Sequence, residues 1–401
     1  RTLQETPTAN IIADLKGKAA GVDIVSNSSS PGSSGQIRIR GNRSLVQDIS
    51  GNPSATAANN DALNAPLLVV DGIPYGGSIN DLNPDDISGI DILKDASATA
   101  IYGSRGSNGV LIITTKRGKA GKAVMSYNGY YGLTNALGEY KGFNGPEYAA
   151  FKDEAKAGNT VNPGTSNYGL SADETTNLAN GVSTDWQKLI YRQGYTTSHE
   201  LSLSGGNEST LFSLSAGFFR EVGIIPGQDF TRYSLRSTID HKISRRLKIG
   251  LNTMNTLGRT NYGGNPVGNL LRLSPLTLPY NTDGTLNLHP LTGLLDAATV
   301  NPLTIIQSSG SIVNNDRRLR TFNSLYGEWE IIDGLKYRVN LGLDYRQDQS
   351  GSYFGPNTFY NNSTSLAQAN ESVGNSEAWS YVIENLLTYD KTFKEKHHIT
   401  F

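Results

Sequence analysis

From residue 335 the chain reads LKYRVNLGLDYRQ, and the alternation is strict. Leu335, Tyr337, Val339, Leu341, Leu343 and Tyr345 form one set, and Lys336, Arg338, Asn340, Gly342, Asp344 and Arg346 form the other. A period of two is the side-chain period of a β-strand, so this strand is greasy on one face and polar on the other. Two environments accept such a strand. One is a soluble sheet with a single wet face, and the other is a membrane barrel with lipid outside and a wet lumen inside.

The same design recurs from residue 122 onward. Ser198 to Ser204 and Thr210 to Arg220 flank the turn GGNE, a hairpin signal. Phe212, Leu214, Ala216 and Phe218 alternate with Leu211, Ser213, Ser215 and Gly217. Tyr233, Leu235 and Ile239 alternate with Arg232, Ser234, Arg236, Thr238 and Asp240, and Leu247, Ile249 and Leu251 with Lys248, Gly250 and Asn252. Asn323 to Ile331 and Trp379 to Tyr389 continue the series.

The connections between these segments separate the two environments. Long ones span about 135–195, 258–318 and 347–375, with a moderate one at 221–229; short turns fall at 205–208, 242–246, 332–334 and 391–397. Short turns on one side and long loops on the other are the rule for outer-membrane barrels. Tyr130, Tyr131, Tyr195, Trp329, Tyr345, Trp379 and Tyr389 sit near strand ends, where aromatic girdles form. The expectation is about nine antiparallel strands. A barrel of this class closes on an even count and leaves no edge, so the nine read as the first part of a larger one. The start at Arg1, without Met or an apolar leader, reads as processed or truncated.

Composition agrees. Gly numbers 44, Tyr 20 and Met 2, which favours turns and strands over long helices. No apolar run reaches the length of a transmembrane helix. With 35 basic and 36 acidic residues the net charge is −1, which argues against nucleic acid as a partner. The absence of cysteine excludes disulfides, thiolate metal sites and cysteine nucleophiles.

Residues 1–121 follow a different pattern. TANIIADLKGKAAG reads as a helix, and VDIVS, QIRIRG, PLLVVDGIPY, ISGIDILKD and VLIITT as short strands. Asn83-Pro84 is an N-cap followed by proline at the first helical position. This is a small α+β unit. Its stretch KDASATAIYGSRGSNGVLIITTKRG, from Lys94, resembles a phosphate loop only superficially. Gly109 is followed by Val110, not by the lysine that such a loop needs, and the glycines come before a strand instead of opening a helix. The stretch is read as helix–turn–strand scaffold. The long polar segment from Asn42 to Ala65 is either a ligand-facing loop or a disordered one.

No catalytic or metal constellation emerges. The 5 histidines lie outside any HExxH or nucleophile-elbow motif, and the acidic stretch 83–86 lacks calcium-loop spacing. The expectation is a protein that is not an enzyme and has no cofactor.

The stretches QIRIRGNRS, PLLVVDGIPY, LNPDDISGIDILKDASATAIYGSRGSNGVLIITTKRG and ENLLTYDKTF strongly resemble the SusC/RagA-type TonB-dependent outer-membrane transporters of Bacteroidota. The resemblance is dense over residues 1–120 and looser over the early barrel strands. It implies an α+β plug domain (1–121) followed by the N-terminal part of a transmembrane antiparallel β-barrel (122–401), whose class has about 22 strands. It implies active import of a large nutrient, an oligosaccharide or oligopeptide, with the plug displaced by TonB. The implied partners are a SusD-like surface lipoprotein acting as a lid, the TonB–ExbB–ExbD complex, and the bilayer with its lipopolysaccharide. A dimer of transporter–lipoprotein pairs stays open. The alternatives are a receptor or passive porin without energy-coupled import, and a soluble β-rich adhesin.

Two groups of site residues follow. Substrate contacts are expected from Asn42, Arg43, Asp48, Tyr75 and Asn80, on plug segments that face outward. Polar plug–barrel contacts are expected between Arg38, Arg40 or Arg105 and the lumen carboxylates Glu328, Glu330 or Glu384. A hydrated polar seam can separate because water replaces each of its hydrogen bonds.

Overall fold

The computed structural model describes residues 15–26, 28, 30–33, 35–41, 63–95, 100–158, 169–291, 299–306, 312–356, 358, 369–393 and 397–401. Asn42, Arg43 and Asp48, the first half of the expected first helix, and residues 96–99 lie outside them.

The first unit contains two sheets. Strands β1 (Val22–Ser26) and β2 (Gly35–Ile39) pair antiparallel. Strands β3 (Leu67–Val70), β4 (Ile73–Tyr75), β5 (Ile87–Leu93) and β6 (Val110–Thr115) form a sheet of order β4-β3-β6-β5. The VLIITT strand is thus central: β6 runs parallel to β3 and antiparallel to β5. Val69, Val70, Val110, Leu111 and Ile113 are wholly buried. The core they anchor takes in Leu15, Ile37, Ile39 and Leu82.

PLLVVDGIPY is two strands, not one. Asp71 and Gly72 both have positive φ, 48° and 90°, and turn the chain between β3 and β4. Asp-Gly favours that mirror-image turn, and asparagine or aspartate tolerates the left-handed region. Asn83 caps the single 3₁₀ turn Pro84–Asp86 by accepting from the Asp85 amide.

The second unit is one antiparallel meander of nine strands. They are β7 (Gly121–Thr134), β8 (Gly194–Gly206), β9 (Thr210–Val222), β10 (Asp229–Lys242), β11 (Leu247–Asn261), β12 (Ile312–Ile332), β13 (Leu335–Phe354), β14 (Asn370–Phe393) and β15 (His397–Thr400). Each pairs with its neighbours in sequence. Several run past the last greasy residue, so the long connections shorten to 135–193, 262–311 and 355–369.

Those connections are not plain loops. Helices α1 (Gly145–Gly158), α2 (Ala172–Ala179) and α3 (Trp186–Ile190) lie in the first, and α4 (Val267–Leu270) in the second. Trp186, Ile190, Leu270, Leu273, Leu291 and Leu303 form a separate apolar core that fastens the two connections together. The Trp186 indole donates to the Ser274 carbonyl at 3.2 Å.

Because register partners share a face, the meander has two distinct sides. The outer side exposes Leu203, Leu214, Leu235, Ile239, Leu251, Leu325, Leu341, Leu343, Tyr381 and Ile383. Ser237, Thr253, Asn255, Thr321 and Asn323 interrupt it with polar groups. The inner side holds the polar set, and the first unit packs against it. No helix among the described residues is long and apolar enough to cross a membrane; strands carry the apolar face instead.

Candidate functional site: the seam between plug and wall

The inner face of β8–β13 meets the first unit along a largely polar seam, interrupted where Phe322 and Met254 join the first unit's apolar core. Its donors are arginines of the wall. Arg232 of β10 donates to the carbonyls of Asn80 at 2.9 Å and Leu82 at 3.1 Å. Arg236, two β-periods further on, donates to Thr115 Oγ1 at 2.5 Å and the Lys116 carbonyl at 2.6 Å. Arg320 of β12 grips Asp344 of β13 with two bonds, at 3.0 and 2.5 Å, and reaches across to Asp81 at 3.3 Å. Its guanidinium lies 4.3 Å from the centre of the Tyr75 ring. Arg318 joins Asp348 at 2.6 Å and Asp81 at 3.8 Å.

The acceptors belong to the first unit. Asp71 accepts from the Thr115 amide (2.9 Å), the Thr115 hydroxyl (2.5 Å) and the wall residue Asn252 (2.6 Å). The Asp81 carbonyl accepts from Thr256 at 3.0 Å. Asp86 accepts from Ser215 of β9 and has Arg236 at 3.9 Å. Asn83 also turns its amide outward, donating to Glu200 of β8 at 2.7 Å. Burial pushes the Asp86 carboxyl above its ordinary value, although the Ser215 hydrogen bond and Arg236 pull the other way. Burial, and then the charge of Asp81, push the Tyr75 phenol well above its own.

Backbone approach is close enough at two glycines to exclude a side chain. A Cβ on Gly77 would collide with the Arg320 guanidinium and the Tyr75 ring. A Cβ on Gly118, where the chain leaves the first unit for the wall, would collide with the Phe212 backbone.

Beside the seam, near the rim with the long connections, lies a polar cavity of about 600 Å³. Ser33, Ser78 and Asn80 line it from the first unit, and Arg232, Tyr262, Arg318 and Gln349 from the wall.

The sequence-derived site residues fall as follows. Asn80 lines this cavity, and its amide donates to the Ser33 carbonyl at 3.4 Å. Tyr75 is 4% exposed, covered by Arg320 on one face and meeting Phe322 edge-on at 5.3 Å, so here it packs and does not present a platform. Arg40 donates to Asp95 and Arg38 to Gln36, both within the first unit. Arg105 is exposed on a second cavity, of about 540 Å³, lined by the first unit. Glu328 faces Arg338 at 3.6 Å and Lys248 at 3.9 Å on its own wall. Glu330 accepts from the Gly334 amide at 3.4 Å. Glu384 accepts from Asn340 at 3.2 Å, and its charge helps burial raise the Tyr102 phenol of the first unit.

At most of the ion pairs described across the seam, opposite to the expectation, the arginine stands on the wall and the carboxylate on the inserted unit. Arg117 with Asp240 of β10, at 3.3 Å, has the expected polarity with other residues. A rigid wall strand holds a long guanidinium pointing inward, and the short aspartates sit in tight turns that reach it. The inward arginines Arg232 and Arg236 were readable from the alternation, four residues apart; Arg320 precedes Asn323, where the alternation of its strand was read to begin. The first-unit partners of all three, more than 100 residues away, were not readable.

Comparison with known proteins bears on this arrangement. Residues 1–110 match the family model described as TonB-dependent Receptor Plug Domain. The chain is 31% identical to TonB-dependent receptor P3 of Formosa agariphila, over 96% of this chain and 35% of that protein. It is 30% identical to TonB-dependent receptor SusC of Bacteroides thetaiotaomicron, over 88% of this chain and 35% of that one. It therefore spans about a third of the length of these curated relatives. Its fold is similar to that in the structure of the RagAB peptide importer in the closed-closed state: TM-score 0.77, 24% identity, covering 100% of this chain and 45% of that chain.

Proposed function

Because this chain belongs to the SusC/RagA type of TonB-dependent receptors, β-barrel proteins of the outer membrane, we propose that it takes part in energy-coupled import of a large nutrient. In this reading the first unit is the plug of the lumen, and further strands complete the wall. TonB, energised with ExbB and ExbD, pulls the plug from its seat. A SusD-like lipoprotein covers the rim with the long connections, and the cavity beside Asn80 lies on the substrate's side of the plug. Asn42, Arg43 and Asp48 would extend the substrate surface, and Arg38 and Arg105 would meet parts of the wall beyond the nine strands.

The observation that carries this reading is the polar seam. Wall arginines hold plug carbonyls and aspartates through bonds that water can replace one at a time, at a net cost of about 1.5–3 kcal/mol each for such charged donors. A passive pore has no use for a removable seal, and a receptor that never opens has no use for a separable one. Oligopeptides and oligosaccharides are the two classes that the reading allows.

A covalent lock tests the proposal. These 401 residues contain no cysteine, so Ser215→Cys with Asp86→Cys places one cysteine on each side of the seam, and each single variant is the control for any other thiol. In cells carrying the full-length transporter, uptake of labelled oligopeptide and oligosaccharide mixtures should stop when the pair is oxidised and return on reduction. Undiminished uptake through the oxidised protein would sink plug displacement and leave the porin reading.

A further inference from the structure

We propose that the outer face of β9–β12 carries a binding site for a phosphorylated lipid headgroup of the outer leaflet. Arg220, Arg259 and Arg317 form it.

The three residues stand in one row. Thr231 pairs with Arg220 on one side and Arg259 on the other, and Arg259 pairs with Arg317. Across four strands the row spans about 14 Å at ordinary strand spacing. All three side chains are exposed, on the side away from the plug. Among the described residues, none of the three has an ion-pair partner, and the Arg317 guanidinium donates only to the neutral Gln349 at 3.1 Å. Of the acidic neighbours, two point inward and one shares the outer face. Glu221 and Asp316 face inward, where Asp316 accepts from Tyr262. Asp229, one row further out, accepts from Asn261. Like charges directly opposite on adjacent strands are unfavourable, so the Arg259–Arg317 pair is a cost that an anion would remove.

The height of the row identifies the anion. Trp329 faces outward beside Tyr337 near the short turns, and Leu319 is about ten residues further along β12, the same distance as Leu247 to Leu257 on β11. At about 3.3 Å per residue and a tilt near 40°, that rise is about 25 Å, the height of the apolar band of a membrane barrel. Arg259 and Arg317 come two residues later, just beyond the band. Directly beneath the row runs an aromatic chain: His199 stacks on Phe218 at 6.3 Å, and Phe218 meets Tyr233 at 5.4 Å. Such a girdle marks headgroup level. A cationic row directly above it faces lipid phosphates, and guanidinium forks suit phosphate oxygens.

The test uses full-length transporter purified from outer membranes, with phosphorylated lipid counted by native mass spectrometry. Wild type should retain such lipid. R220Q/R259Q/R317Q should lose it by about fivefold per arginine, on the order of 100-fold in all. The corresponding triple lysine variant should keep most of it, and an unchanged melting profile establishes folding. If the triple variant does not fold, Arg317→Gln alone carries the test through its fivefold step. In nanodiscs, enzymatically dephosphorylated lipid A should bind wild type no better than intact lipid A binds the triple variant. Equal retention by the two proteins, or indifference to dephosphorylation, overturns the site. Complete displacement by inorganic phosphate at matched concentration also overturns it, in favour of a free-anion site. So does loss of a protein partner with lipid unchanged, which would make the row a protein contact.

Discussion

The interior of the plug and the seam around it are built on opposite principles. Inside, β3 and β6 bring Val69, Val70, Leu111 and Ile113 together without water. At the seam, a few ångströms away, wall arginines, serine and asparagine donate hydrogen bonds to plug oxygens, and of the wall's described residues only Phe322 and Met254 join the apolar core. Apolar burial is lost all at once when surfaces part, whereas each hydrogen bond can be handed to water in turn. The plug thus holds its own shape more firmly than it holds its place.

Arg320→Ala should break that contrast most severely. It leaves Asp344 without its guanidinium and Asp81 with only Arg318, at 3.8 Å, in a region where Arg320 is 4% exposed. Removing one member of such a buried pair costs about 3–5 kcal/mol. Hydrogen exchange should show the seat around residues 75–82 opening while β3 and β6 stay protected. A loss under 1 kcal/mol would mean that the seam is already wet and its charges are not desolvated.

Leu111→Ala should have the next largest effect, about 3 kcal/mol, and on the other region. It empties space at the centre of the plug sheet, so protection should fall across β3, β5 and β6 and stay unchanged in β9–β12. Equal loosening of plug and wall would show that the two regions unfold as one unit and erase the distinction between them.

Legibility in the sequence divides along the same line. Strand alternation made the wall readable, because lipid on one side and polar groups on the other impose period two on every strand. The plug core was readable from LLVV and VLIITT for the same reason of burial. Three features were not. The Asp71-Gly72 turn was hidden because four apolar residues precede it and Ile73 continues the pattern. The core of Trp186, Leu270 and Leu303 joins connections far apart in the chain, in segments too short to show a helical period. Tyr75, beside two glycines, resembled an exposed platform, and the residues that cover it, Arg320 and Phe322, come far later in the chain. Local chemistry is visible in a sequence; long-range partners depend on register, which a composition of arginines and aspartates does not encode.

The smallest predicted effect concerns pH, and it sharpens the comparison through its sign. Asp86 lies in the seam with its carboxyl raised above the ordinary value, chiefly by burial. The seated plug therefore binds this proton more tightly than the unseated plug does. By linkage, the contribution of Asp86 is fully present below the ordinary carboxylate value and is lost as pH rises through the raised one. Mild acid should tighten this part of the seam. If Arg236 dominated, at 3.9 Å, the carboxyl would be lowered and acid would loosen the seat instead. Amide exchange at Asp85 to Ile87, corrected for its intrinsic pH dependence, reads the sign directly. Protection that falls with rising pH, and that becomes flat in Asp86→Asn, is the expected outcome. Protection that rises with pH would make Asp86 an ion-pair partner first and a buried hydrogen-bond acceptor second, and the seam would then be held by charge more than by bonds that water can replace.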